Sequence, residues 1–142
     1  VTPYSTLYDS FLSKITDYDL ISQFDDDLET IMHKYLIGAC AEFTQCKQDL
    51  TNRDDTLAQF NVTLTDLEIK IISTIMINEW LNPLINNIML LKQYLSSSDF
   101  KAYSQSAHLK EIQSLKYNNQ DEVEKLIGRY SYTGDLKSIF GS

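Results

Sequence analysis

Glycine and proline are scarce, with 4 and 2 among 142 residues. Tight turns and hairpins draw on both, so a many-turned β fold is disfavoured from the outset. Cysteine is scarcer in effect: Cys40 and Cys46 are too few for a disulfide framework. If both lie on one helix, their spacing sets them about 240° apart around its axis, which a disulfide does not bridge. Reduced, inert thiols fit an intracellular protein. No basic-then-apolar stretch opens the sequence, so no secretory signal is expected, and the sequon Asn61-Val-Thr63 reads as chance. Positive charge is in deficit, at 12 Lys and Arg against 20 Asp and Glu, for a formal net charge of −8. Such a chain repels nucleic-acid phosphate and anionic lipid headgroups. Long apolar runs are missing too. The most apolar stretch, residues 69–95, is broken by Lys70, Glu79, Asn82, Pro83, Asn86, Asn87 and Lys92. It falls short of the ~18 uninterrupted apolar residues of a membrane span, so no membrane partner is expected.

The machinery of catalysis is equally thin. His33 and His108 are the only histidines, neither within a recognised metal-ligand pattern, and Cys40-x5-Cys46 is not a zinc spacing. Asp17-x-Asp19 lacks the Gly and the Glu of a calcium loop, so the acidic run beside it reads as helix capping. There is no Gly-x-Ser-x-Gly, no cysteine with a histidine in context, and no glycine-rich phosphate loop. The expectation is a protein that is not an enzyme and has no metal and no cofactor.

What is present is helical periodicity. Hydrophobic residues make up 43% and charged residues 23%, too apolar for a disordered chain, and the length suits one domain. Ser5 can cap a first helix with the stripe Leu7, Tyr8, Phe11, Leu12, Ile15. Residues 16–24 read as a connector. Asp25, Asp26 and Asp27 open a second helix over 26–48, carrying Leu28, Ile31, Met32, Tyr35, Leu36, Ala39, Phe43 and Cys46. Gly38 either weakens that helix or admits a close neighbour. Residues 49–64 read as a linker, in which the alternation Phe60-Asn-Val-Thr-Leu64 could be a short extended piece. Thr65-Asp-Leu-Glu68 is a capping box that starts a third helix. Pro83 either ends that helix near Leu81 or kinks it. A loop over 100–106 carries two buried-type aromatics, Phe100 and Tyr103. The last helix spans about 106–130, weakest at Tyr117-Asn-Asn-Gln120. The predicted fold is therefore all-α, a single-domain bundle of four to five helices over residues 1–132. An extended C-terminal tail over 133–142 would be flexible or partner-docked.

Two features point outward. Residues 1–71 hold 13 acidic and 5 basic side chains, whereas residues 72–142 hold 7 of each. The acidic excess includes Asp25, Asp26, Asp27, Glu29, Asp54 and Asp55, a candidate face toward a basic partner. The C-terminal aromatics and aliphatics, Tyr130, Tyr132, Leu136, Ile139 and Phe140, exceed what an end segment buries by itself. They are the candidate partner-binding residues. Phe11, Phe43 and Trp80 are expected in the core.

Four stretches carry a resemblance: Leu64-Thr-Asp-Leu-Glu68, Glu79-Trp-Leu-Asn-Pro-Leu-Ile-Asn-Asn87, Leu91-Lys-Gln-Tyr-Leu95 and Asp99-Phe-Lys-Ala-Tyr-Ser-Gln-Ser-Ala-His-Leu-Lys-Glu111. Together the chain resembles the head–tail connector (adaptor) proteins of tailed phages and prophages of Gram-positive bacteria. The likeness spans roughly residues 4–132 and is most specific between 64 and 116. It implies a virion protein, made in the host cytoplasm and placed in the neck between capsid and tail. Copies would form a ring, typically of about twelve, beneath the portal protein. C-terminal segments would dock on the portal, the far face would receive a stopper or tail-completion protein, and DNA would pass without specific binding through a lumen that the acidic face could line. The residues beyond Tyr132 lie outside the likeness, so portal docking by the tail rests on position and composition. Two alternatives stand beside this reading: another neck role, stopper or tail completion, and an acidic DNA mimic that inhibits a host nucleic-acid-binding protein.

Overall fold

A computed structural model describes residues 1–15, 28–94 and 105–139, with side chains described except at 84, 87–94, 105–109 and 133–139. The order is β1 (Thr2–Pro3), α1 (Tyr4–Ile15), α2 (Leu28–Glu42), β2 (Arg53–Asp54), β3 (Gln59–Phe60), α3 (Asp66–Tyr94) and α4 (Gln105–Ile139). The class is all-α, as the periodicity predicts.

Helix α3 is the spine and touches α1, α2 and α4. Six consecutive residues, Ile71 to Met76, are buried. A helix with neighbours on several sides buries its whole circumference there, polar positions included. Two of the six are polar and are satisfied locally. Ser73 donates to the Lys70 carbonyl at 3.1 Å and accepts from Ser10 of α1 at 2.9 Å; Thr74 donates to the Lys70 carbonyl at 2.6 Å. The capping box forms as expected. The Thr65 N–H donates to Glu68 Oε1 at 2.8 Å, and the Glu68 N–H donates to Thr65 Oγ1 at 3.2 Å. Pro83 lies inside α3, so the helix passes through it and does not end near Leu81.

The first helix buries Leu7, Phe11 and Ile15 and half-buries Tyr8 and Leu12. Phe11 meets Trp80 edge-on at 6.4 Å and Tyr35 at 5.9 Å, joining α1, α2 and α3. Phe43 is also in the core. Gly38 of α2 does face a close neighbour: a Cβ there would stand 2.7 Å from Glu79 Oε2 of α3.

Four boundaries differ from the sequence expectation. Helix α1 starts at Tyr4, one residue before the proposed Ser5 cap, because the Tyr4 N–H donates to the Ala58 carbonyl at 2.9 Å. Helix α2 ends at Glu42, not at 48. There the Thr44 N–H turns to the Glu42 carbonyl, and the Lys47 N–H donates to the distant Tyr130 hydroxyl. The 49–64 linker is folded. Its strands β2 and β3 join β1 in an antiparallel sheet of order β1-β3-β2, with Thr2 and Arg53 both opposite Phe60. Leu50, Phe60 and Leu64 enter the core from it, and Pro3 sits on an edge strand, where a missing N–H is tolerated. Helix α4 continues nine residues beyond the expected end at Tyr130. It also runs through Asn119, whose side-chain amide donates to the Thr74 carbonyl at 2.8 Å and to Asn78 Oδ1 at 2.9 Å. The 16–24 connector, Asp25 to Asp27, and Phe100 and Tyr103 lie outside the described residues.

Candidate functional site

The five C-terminal candidates do not form one surface. Tyr130 belongs to the core and is corrected here from a partner-binding residue to an internal anchor. Its hydroxyl donates to Glu68 Oε2 at 2.8 Å and accepts from the Lys47 N–H at 2.9 Å. Its ring meets Phe43 edge-on at 5.4 Å, with Lys47 Nζ 5.5 Å from the ring centre. Tyr132, two residues on, is 64% exposed. Leu136 and Ile139 lie on the α4 backbone, with their side chains outside the description, and Phe140 lies beyond it.

The partner of Tyr130, Glu68, is a buried carboxylate in a knot of four donors. Oε1 accepts from the Thr65 N–H and from Gln48 Nε2 at 2.7 Å. Oε2 accepts from Tyr130 and from the Cys46 thiol at 3.5 Å. Burial raises its pKa, but the donors outweigh burial and hold it below the ordinary value. Burial pushes the Cys46 and Cys40 thiols up to about 11, so neither is an activated nucleophile near neutral pH. The knot ties the segment after α2, the start of α3 and the last third of α4 into one unit.

Among the acidic candidates, Glu29 is exposed in the first turn of α2, where the helix dipole favours it. Asp54 Oδ1 accepts from the N–H groups of Thr56 and Leu57, so its charge holds the β2–β3 turn. Asp55 Oδ1 accepts from the Tyr4 hydroxyl at 2.6 Å and pairs with His33 Nε2 at 3.2 Å. These donors, Tyr4 first, lower the Asp55 pKa. Burial, then the charges of Glu29 and Asp55, push Tyr8 up to about 12. Glu29 and Asp55 thus converge on one corner, where α1, α2 and the β2–β3 turn meet. Asp25, Asp26 and Asp27 are outside the described residues.

Sequence reasoning missed the grooves along the α3–α4 seam. One, of about 310 Å³, opens between the end of α2 and that seam. Ile75, Val123 and Ile127 form its apolar lining, with Glu42, Glu79 and Glu124 as its carboxylates. Lys116 and Gln120 also line a second hollow of about 320 Å³, which adds Ile85 and the 77% exposed Tyr117. The only signal in the sequence was Gly38, which faces Glu79.

No family model, curated protein or solved structure matches the chain. Among the described residues, no group of three His, Cys, Asp or Glu side chains could hold a metal ion. Among them too, no helix is long and apolar enough to cross a membrane.

Proposed function

We propose that this chain is a structural subunit of a phage neck, a head–tail connector that assembles as a ring beneath the portal. The observation that carries the proposal is where the connector-like stretches fall. The capping box starts α3, the stretch around Pro83 lies within α3, and residues 105–111 open α4. Helix α4 then continues past Tyr130, the last side chain it is described as burying, to Ile139. A helical end beyond its core anchor is an element suited to contact with a neighbour. Tyr132, Leu136, Ile139 and Phe140 are the portal-facing residues of this reading; Tyr130 positions the helix that carries them. The net charge of −8 suits a bore through which DNA slides without being gripped.

The test is co-expression with the portal protein encoded in the same genome, followed by native mass spectrometry. The connector role predicts a complex in which this chain and portal are both present in ring multiples. Recovery of portal without this chain overturns it, and capture of a host nuclease or polymerase in its place favours the DNA-mimic alternative.

A further inference from the structure

We propose that the outer face of α4 binds a second copy of this chain, as an antiparallel helix pair related by a two-fold axis. The inference does not rest on the neck reading. Helix α4 turns Ile112, Val123, Leu126 and Tyr130 into the core. On its opposite side Tyr117, Asp121, Glu124, Lys125, Gly128 and Tyr132 are exposed. Tyr117 and Tyr132 are 77% and 64% exposed, and at ~100° per residue they stand only about 60° apart around the helix. Gly128 is an observation independent of the tyrosines. A glycine inside a helix weakens it relative to alanine. A Cβ at Gly128 would meet nothing within 4 Å, so no described neighbour excludes a side chain there. Gly38 is the contrast, since a Cβ there would meet Glu79. An open glycine on an exposed face is accounted for by a second backbone that approaches it closely.

Charge selects the occupant. The chain carries a net −8, so most contacts between copies are opposed by like charge. This face is balanced: Asp121 and Glu124 stand with Lys125 and, at the edge, Arg129. Antiparallel packing with Glu124 opposite the partner's Lys125 makes that ion pair twice, once on each side of the axis. The same register sets Asp121 opposite the partner's Gly128 and Tyr117 opposite the partner's Tyr132. Parallel packing would set Glu124 against Glu124. Lys125 stands 4.0 Å from Asp121, a loose and exposed pairing that yields readily. Beside Tyr117, a hollow of about 320 Å³ lined by Ile85, Gln113 and Gln120 has room for the partner's Tyr132 ring. Because the two α4 ends point opposite ways, the pair is a state of the chain outside any ring.

Sedimentation equilibrium of the full chain at physiological ionic strength should show monomer and dimer, with a Kd of about 100 μM or tighter. Gly128→Gln should raise the Kd at least about tenfold, because its side chain fills the approach. Circular dichroism of dilute samples should show this variant melting no lower than the parent, since the position is open. Glu124→Lys and Lys125→Glu should each raise the Kd about tenfold, and the double reversal should restore it to within about threefold. A chain that stays monomeric up to about 1 mM overturns the proposal. So does a dimer that the three single variants leave unchanged, or a double reversal that fails to restore pairing. Assembly into larger rings with no dimer overturns it as well, while leaving the neck reading standing.

Discussion

Tyr130 and Glu68 lie 62 residues apart and meet each other's polar needs, while Lys47, 83 residues away, depends on the same hydroxyl. Tyr130→Phe keeps the ring against Phe43 but leaves an amide and a buried carboxylate each short of a partner. The expected loss is about 1–3 kcal/mol of stability, read from thermal unfolding with the buried Trp80 as fluorophore. Two glutamates should respond to pH in opposite directions. Glu68 has a folded pKa below its ordinary 4.5, so its contribution is complete above about that pH and is lost as pH falls below it. Glu79 has a folded pKa above 4.5, so its ionisation costs stability as pH rises through and beyond that value. Glu79→Gln should therefore melt higher than the parent near pH 7, with the gap closing below pH 4.5; a lower melting temperature near pH 7 would refute the assignment. At this scale the capping box was legible because its partners stand three residues apart. The core place of Tyr130 was not, since residues distant in sequence fix it, and composition drew it into the tail.

Helix identity followed from periodicity, and the misplaced boundaries trace to contacts between elements. Helix α2 stops early because the Thr44 and Cys46 amides turn to the nearby Glu42 and Phe43 carbonyls, and the Lys47 amide is claimed by the distant Tyr130. Strands β2 and β3 are two residues each, too short for a two-residue period to register, so the turn formers around them read as a linker. Pro83 left two outcomes open, and α3 takes the continuous one, packed on three other helices. The grooves were not legible because they belong to the seam between helices. For α4, deleting residues 134–142 should leave the fold intact, because Ile112, Val123, Leu126 and Tyr130 all remain. Circular dichroism should lose only the signal of the removed helical residues, and the melting temperature should hold, while assembly with portal weakens. An unfolded product would place the deleted segment in the core and refute the docking role.

Over the whole molecule, the charge excess belongs to residues 1–71, and much of what is described there has local work. Asp54 holds a turn, Asp55 binds Tyr4 and His33, and Glu68 sits in the buried knot. The remaining negative field, exposed Glu29 included, suits a face that DNA passes without adhering, since exposed carboxylates repel phosphate at short range even in physiological salt. Neutral residues 72–142 include most of the two long helices, where the proposed protein contacts lie. The most direct measurement is cryo-electron microscopy of the intact phage particles to which the proposal assigns the chain. The connector role predicts a ring of this chain between the portal and the tail, with the end of α4 against the portal. Density for the chain in the tail tube or the capsid shell, or its absence from the particle, would contradict that role.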